Sequence, residues 1–133
     1  MPSFSKSSTL KLASCHPDLQ NLFVEVIKHY DCTIICGYRG EKEQTEAFET
    51  GKSQLKFPLS KHNQMPSNAV DVVPYPIDWL DLNRFYHFAG FVQATAKAMG
   101  IKVRWGGDWD GDLIFKNEKF KDLPHFELVS PSR

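Results

Sequence analysis

The chain has 133 residues, 41% hydrophobic and 24% charged, a globular composition whose apolar content suffices for one core but not two. Its 16 Lys and Arg balance 16 Asp and Glu with no long run of either sign, so nothing marks a footprint for nucleic acid or an anionic membrane, and neither partner is expected. The N-terminus lacks the apolar core of a secretory signal, and no segment reaches the roughly 18 apolar residues of a membrane span. A soluble monomer, one domain over residues 1–133, made in the cytoplasm without an export signal, is the expectation; a substrate outside the membrane would require something else to let the protein through.

In chain order, Leu19, Leu22, Phe23, Val26 and Ile27 recur at helical spacing, and Pro17 suits a first turn, which predicts an amphipathic helix from Pro17 to His29. Thr33–Cys36, β-branched and closed by Gly37, reads as a strand. Helix formers from Glu41 to Thr50 stop at Gly51, a suitable C-terminal cap. Ala69–Val73 reads as a strand closed by Pro74 and Pro76. A longer helix follows over Leu80–Met99, with Asp78 as N-cap and Gly100 as terminator. Ile101–Trp105 and His125–Val129 are the last two strands, separated by a loop rich in Gly and Asp. Helices on a small, mainly antiparallel sheet, an α+β domain, is the economical architecture.

Cys15, Cys32 and Cys36 are odd in number and lack disulfide spacing, so buried reduced thiols are expected. His16, His29 and His87 have no partners in sequence and read as surface or helix-end residues. Trp105 and Trp109 suit a cleft wall as well as they suit a core. Asp108, Asp110 and Asp112 alternate like the start of a calcium loop. Gly111, however, stands fourth instead of sixth and Lys119 replaces the closing Glu, so a solvated acidic loop is the first expectation and Ca2+ the second.

Reactive side chains concentrate in Ser60-Lys61-His62, Ala69-Val70-Asp71 and Asp122-Leu123-Pro124-His125. Two histidines and a carboxylate are a three-ligand zinc set that leaves a fourth position for water, and Asp122 is placed to take that water's proton. Singly, each residue also has a bland reading: Asp71 as a satisfied core carboxylate, His125 as a partly buried histidine, Arg39 as a solvated turn residue. A carboxylate between Val70 and Val72 is costly to bury unless it is paired or metal-bound, which favours function.

The run SKHNQMPSNAVDVVPYPIDW resembles the first metal motif of the D-alanyl-D-alanine carboxypeptidase and L-alanyl-D-glutamate endopeptidase family, Ser-x-His followed by Ala-x-Asp. DLPHFEL is similar to its second motif and GYRGEKEQ to its Arg-containing segment. With IKVRWGGDW the likeness covers about residues 30 to 129, and it is nearest to the compact bacteriophage endolysins. The resemblance implies a Hedgehog/DD-peptidase-like fold, Zn2+ on His62, Asp71 and His125, and Asp122 as general base. It also implies catalytic and substrate-binding work for Arg39, and Gln44 and Ser60 as further substrate-site residues. Glu127, two positions past His125 on one strand face, is the next candidate base. The sequence departs from the family pattern in the eight residues between His62 and Asp71, where the spacer is long and Pro66-Ser67-Asn68 replaces a glycine.

The expected activity is hydrolysis of peptidoglycan stem peptides by a phage lysis enzyme at the L-Ala–D-Glu bond. A D-Ala-D-Ala carboxypeptidase is the alternative within the same chemistry. A non-catalytic cell-wall-binding module is the alternative outside it.

Overall fold

The computed structural model describes residues 2–129. Five helical segments and four strands follow in the order α1 (Lys6–Ala13), α2 (Pro17–Ile27), β1 (Cys32–Cys36), α3 (Glu41–Glu49), a 3-10 turn (Lys61–Asn63), β2 (Ala69–Pro74), α4 (Leu82–Ala98), β3 (Val103–Trp105) and β4 (His125–Leu128). The strands form one sheet in the order β1-β2-β4-β3 with every pairing antiparallel, so the α+β expectation holds.

The sequence reading did not anticipate α1. Its buried residues are only Ser8 and Leu12, too few to print an apolar stripe. Its Ser5 N-cap accepts a hydrogen bond from the Ser8 amide, and the Ser8 hydroxyl in turn accepts one from the Ile34 amide of β1 (3.0 Å). A polar residue thus ties α1 to the sheet. The start of α4 is also corrected, from Asp78 to Asp81, whose carboxylate accepts from the Arg84 amide. The third strand begins at Val103 instead of Ile101 because Ile101 is still bonded back to Ala96 at the end of α4.

Side chains alternate across a strand, and here the alternation separates core from site. Val70, Val72, Phe126 and Leu128 face the helices and join Leu19, Phe23 and Val26 of α2 and Phe88, Ala89 and Val92 of α4 in one buried cluster. Phe126 meets Phe23 edge-on, with ring centroids 5.7 Å apart. Asp71, His125 and Glu127 occupy the opposite face. Asp71 lies directly across from His125 in the β2–β4 register and across from Cys36 in the β1–β2 register. Opposed residues on neighbouring antiparallel strands bring their Cβ atoms to about 5 Å, so the register alone unites one carboxylate and one histidine from segments more than fifty positions apart.

The long spacer after His62 folds onto the α1–α2 connection. The Ser67 amide donates to Ser14 O (2.9 Å) and Ser67 O accepts from the His16 amide (2.8 Å), so the segment that replaces the family glycine is anchored at both edges. His16 caps α2 through Nδ1, which accepts from the Asp18 amide, while His29 and His87 lie exposed. Cys15 and Cys32 are buried free thiols, each pushed up to about 12 by burial. Cys36 is only half-buried.

Candidate active site

His62 sits in the 3-10 turn, whose first amides need acceptors. The Ser60 hydroxyl accepts from the His62 amide (3.1 Å), and Asn63 closes the cap from the other side. The turn is fastened to the segment after β1 by the Arg39 amide on His62 O (2.8 Å). The imidazole is buried, and its Nδ1 lies 2.7 Å from Gly37 O. A carbonyl can only accept, so Nδ1 carries a proton and Nε2 is the nitrogen turned towards the site. Gly37 must be glycine here: a Cβ would stand 2.3 Å from Lys11 O and 2.4 Å from Ser14 Oγ.

His125 is oriented by the mirror arrangement. Its Nε2 lies 2.8 Å from Glu127 Oε1, which accepts, leaving Nδ1 to face the site. Glu127 is itself held by Lys61 Nζ (3.2 Å) and Arg104 Nη1 (3.3 Å). Burial pushes this carboxyl up, but His125 and Lys61 outweigh it and hold the group down at about 2. Such a carboxylate behind a histidine fixes its tautomer and raises its basicity as a ligand.

The two site-facing ring nitrogens converge. His62 Nε2 and His125 Nδ1 each lie 3.3 Å from Asp71 Oδ1, with ring centroids 5.1 Å apart. Burial disfavours charge on His62, yet the adjacent Asp71 carboxylate overrides it and raises the imidazole to about 10. His125 is also raised, burial again opposing and the hydrogen bonds to Asp71 and Glu127 prevailing. Asp71 is held far below the usual carboxylate range by the two histidines, against its own burial. The imidazoles share Asp71 as protonated partners until a divalent cation displaces the extra protons, and the three buried side chains could then hold it. His62 and Asp71 also place ligand atoms within 4.8 Å of Cys36, and Asp71 and His125 within 4.8 Å of Asp122.

Asp122 stands at the rim, its Oδ2 3.8 Å from His125 Nδ1. Burial first, and the Asp71 charge second, raise it to about 6. Its backbone is pinned by its amide on Gly106 O (2.8 Å), while the Gly106 amide donates to His125 O (2.8 Å). A Cβ at Gly106 would fall 2.1 Å from Asp122 O, so this glycine sets how closely the acidic residue approaches the sheet.

Arg39 follows β1 and donates from Nη2 to Asp71 Oδ2 (3.3 Å) and from Nη1 to Gln44 Oε1 (3.0 Å). Gln44 is completely buried, and its NH2 is engaged by Ser53 Oγ and Leu55 O. Two cavities flank the centre, of about 810 Å³ and 310 Å³, and Arg39, Lys52, Phe120 and Asp122 line both. The two tryptophans divide between the roles left open for them. Trp105 is core, its indole donating to Leu123 O (2.7 Å). Trp109 lines the smaller cavity, with its ring 5.3 Å from His125.

Sequence reasoning did not anticipate the bracing roles of Gly37, Lys61 and Arg104. Of these, Arg104 was in principle legible: one strand residue opposite Glu127, with the opposite charge. The acidic loop also gains a member. Glu118 joins Asp108, Asp110 and Asp112, with ligand atoms all within 4.8 Å of one another. Asp108 is buried, against the expectation of a solvated loop, and its Oδ1 has no hydrogen-bond partner among the described residues.

A family model for the phage L-alanyl-D-glutamate peptidases matches residues 2–129. The chain is 34% identical over 134 aligned positions to the L-alanyl-D-glutamate peptidase of Escherichia phage T5, covering 95% of this chain and 97% of that protein. It superposes on the crystal structure of the Serratia marcescens L-Ala D-Glu endopeptidase ChiX with a TM-score of 0.74 and 28% identity, over 96% of this chain and 91% of that one.

Proposed function

The chain belongs to the phage L-alanyl-D-glutamate peptidase family, and on that premise we propose that it is a zinc-dependent endolysin hydrolysing the L-Ala–D-Glu bond of peptidoglycan stem peptides. The observation that carries this reading is the convergence of His62 Nε2 and His125 Nδ1 on Asp71, with Asp122 at the open edge. When bound by these three side chains, zinc supplies Lewis acidity, making a water acidic near neutral pH and polarising the scissile carbonyl.

The remaining work belongs to the chain. Gly37 O and Glu127 keep both imidazoles in the ligating tautomer. Asp122, ionised above about pH 6, accepts the proton of the attacking water as its oxygen bonds to the L-Ala carbonyl carbon. Asp122 then passes that proton to the D-Glu nitrogen as the C–N bond breaks. Arg39 offers its guanidinium to the carbonyl oxygen or to a substrate carboxylate. Gln44 and Ser60 act from behind, Gln44 aligning Arg39 and Ser60 capping the turn that presents His62. A monomer made in the host cytoplasm would reach this substrate only after release to the wall. Among the described residues no helix is long and apolar enough to cross a membrane.

A second cation belongs to the same reading. Calcium takes six to eight oxygen ligands, and the buried Asp108 Oδ1, without a hydrogen-bond partner among the described residues and beside Asp110, Asp112 and Glu118, is the observation that favours it over a merely solvated loop.

Mass spectrometry of purified peptidoglycan digested by the zinc-loaded protein tests the activity. Fragments with a new D-Glu N-terminus, and glycan retaining L-Ala, are expected. Release of free D-Ala alone would make the protein a carboxypeptidase, and the absence of any product would make it a binding module.

A further inference from the structure

The two cavities beside the metal centre differ in character, and the substrate differs in character on its two sides. L-Ala is joined directly to the lactyl group of N-acetylmuramic acid, so a sugar ring lies one residue before the scissile carbonyl. D-Glu, linked onward through its γ-carboxyl, keeps a free α-carboxylate beside the scissile nitrogen. One side therefore needs room and an apolar face for a saccharide, and the other a cationic wall.

The larger cavity, about 810 Å³, lies within the range that holds a ligand of several rings and is far larger than an alanine methyl requires. Its wall carries Trp79, Leu82 and Phe85 at the β2–α4 connection. Trp79 is 53% exposed, and its ring is stacked on the buried Phe85 at 5.6 Å and 24°. One face of the indole is thus covered and fixed while much of the ring remains at the cavity. Ile77 and Leu80 beside it are exposed as well. An apolar patch of this kind beside a site is unusual unless something covers it. Glu43 and Glu46 of α3 line this cavity and not the other; they would repel a D-Glu carboxylate but accept hydrogen bonds from hydroxyl and acetamido groups. Lys52 lines both cavities, Lys121 only the larger and Lys61, bridged to Glu127, only the smaller, so the Trp79 face and the Glu43–Glu46 pair, and not the lysines, set the two cavities apart.

We propose that the Trp79 cavity is the subsite for the N-acetylmuramyl-lactyl end of the substrate, with the sugar on the Trp79 ring and D-Glu on the side of the smaller cavity, away from Glu43 and Glu46. The assignment rests on the endopeptidase reading and adds to it the direction in which the substrate lies and a specificity residue outside the catalytic set.

The test compares kcat/KM of the zinc-loaded protein on the free stem peptide L-Ala-γ-D-Glu-diaminopimelate and on the same peptide carrying the N-acetylmuramyl-lactyl group. The native chain should prefer the muramyl substrate by about tenfold or more, the scale of one aromatic stacking contact with its buried area. Trp79→Ala should erase most of that ratio, and Trp79→Phe should keep most of it. The ratio is independent of the folded fraction, so a loss of structure cannot mimic the result. Equal rates on both substrates in the native chain, or a fall of both rates in Trp79→Ala with the ratio intact, would overturn the subsite while leaving the peptidase reading in place. Cleavage of neither substrate by the native chain would overturn that reading, and the subsite with it.

Discussion

The histidines of the proposed metal site and the proposed base reach the same point from unlike supports. His62, Asp71 and His125 are buried; each is set by strand register or a capped turn, and the two imidazoles are held as well by a hydrogen bond on the side away from the site. Asp122 belongs to the irregular stretch between β3 and β4, is more exposed, and is held chiefly through its backbone by Gly106. Ligands need one geometry to hold a cation, whereas a base must accept a proton and give it back. The first task rewards rigidity and ligands that give up competing protons to the cation; the second rewards a carboxyl raised towards the working pH.

The sharpest way to break this contrast is to remove one residue from each side. His125→Ala takes away a ligand and should abolish both bound metal and measurable turnover. Asp122→Asn keeps the three ligands and the side-chain volume; it should retain metal while turnover falls on the order of 100-fold to 10,000-fold. Metal content and peptide cleavage measured on the same preparations decide between them, and loss of metal by the Asn variant would move Asp122 into the ligand set. The pH profile adds a sign. Asp122 works only when ionised, so kcat/KM should fall as pH drops through about 6. A cation at Asp71 would offset the like charge that helps raise Asp122, moving this limb lower, never higher. An acid limb centred above 7 would point to another group.

How far this contrast could be read before the fold was known follows from the same physics. A carboxylate between valines, and a histidine opening an apolar strand, announce themselves because burying them is expensive; that cost, with the family resemblance, is what led to the proposed ligand set. The α+β architecture was legible from alternation and helical spacing. The helix α1 was not, since Lys6–Ala13 buries two side chains, one of them a serine. Nor was the bracing by Gly37 and Lys61, because a backbone carbonyl offered across 25 positions to His62, and a lysine 66 positions from its carboxylate, leave no local pattern. Glu127 was noticed as an acidic neighbour of His125 on the same strand face. Its 2.8 Å contact lies on the ring nitrogen turned away from Asp71, which makes it a brace for the ligand.

That brace gives an intermediate effect. Glu127→Gln keeps shape but no longer holds a proton firmly on His125 Nε2, so metal affinity should weaken by about 10-fold to 100-fold, measured by competition with a chelator. The substitution should also change acid stability. Because the folded-state pKa of Glu127 is lowered to about 2 from 4.5, its contribution is present above about pH 4.5 and lost as pH falls towards 2. The Gln variant should lack that part of the acid transition. If its metal affinity is unchanged, Glu127 serves the fold and not the ligand.

The smallest effect belongs to the far end of the irregular stretch. Asp108 Oδ2 accepts from the Leu113 amide (2.9 Å), whereas the buried Oδ1 has no partner among the described residues. If calcium occupies the position facing Oδ1, adding it should stabilise the native chain by about 2.7 kcal/mol at a hundredfold excess over its Kd, raising Tm by several degrees. Turnover should rise a few-fold, because the same stretch carries Trp109 and Asp122. Asp108→Asn can keep the Leu113 bond through its carbonyl oxygen but lacks the charge a hard cation requires. Its Tm and rate should therefore no longer respond to calcium, while its zinc content stays that of the native chain. A solvated acidic loop predicts the opposite pattern: no calcium response in the native chain, and an Asn variant at least as stable because one of four crowded carboxylates has lost its charge. The contrast between braced ligands and a loosely held base then acquires a mechanism of control, since a cation at Asp108 would tighten the backbone that presents Asp122 without touching the residues that hold the metal.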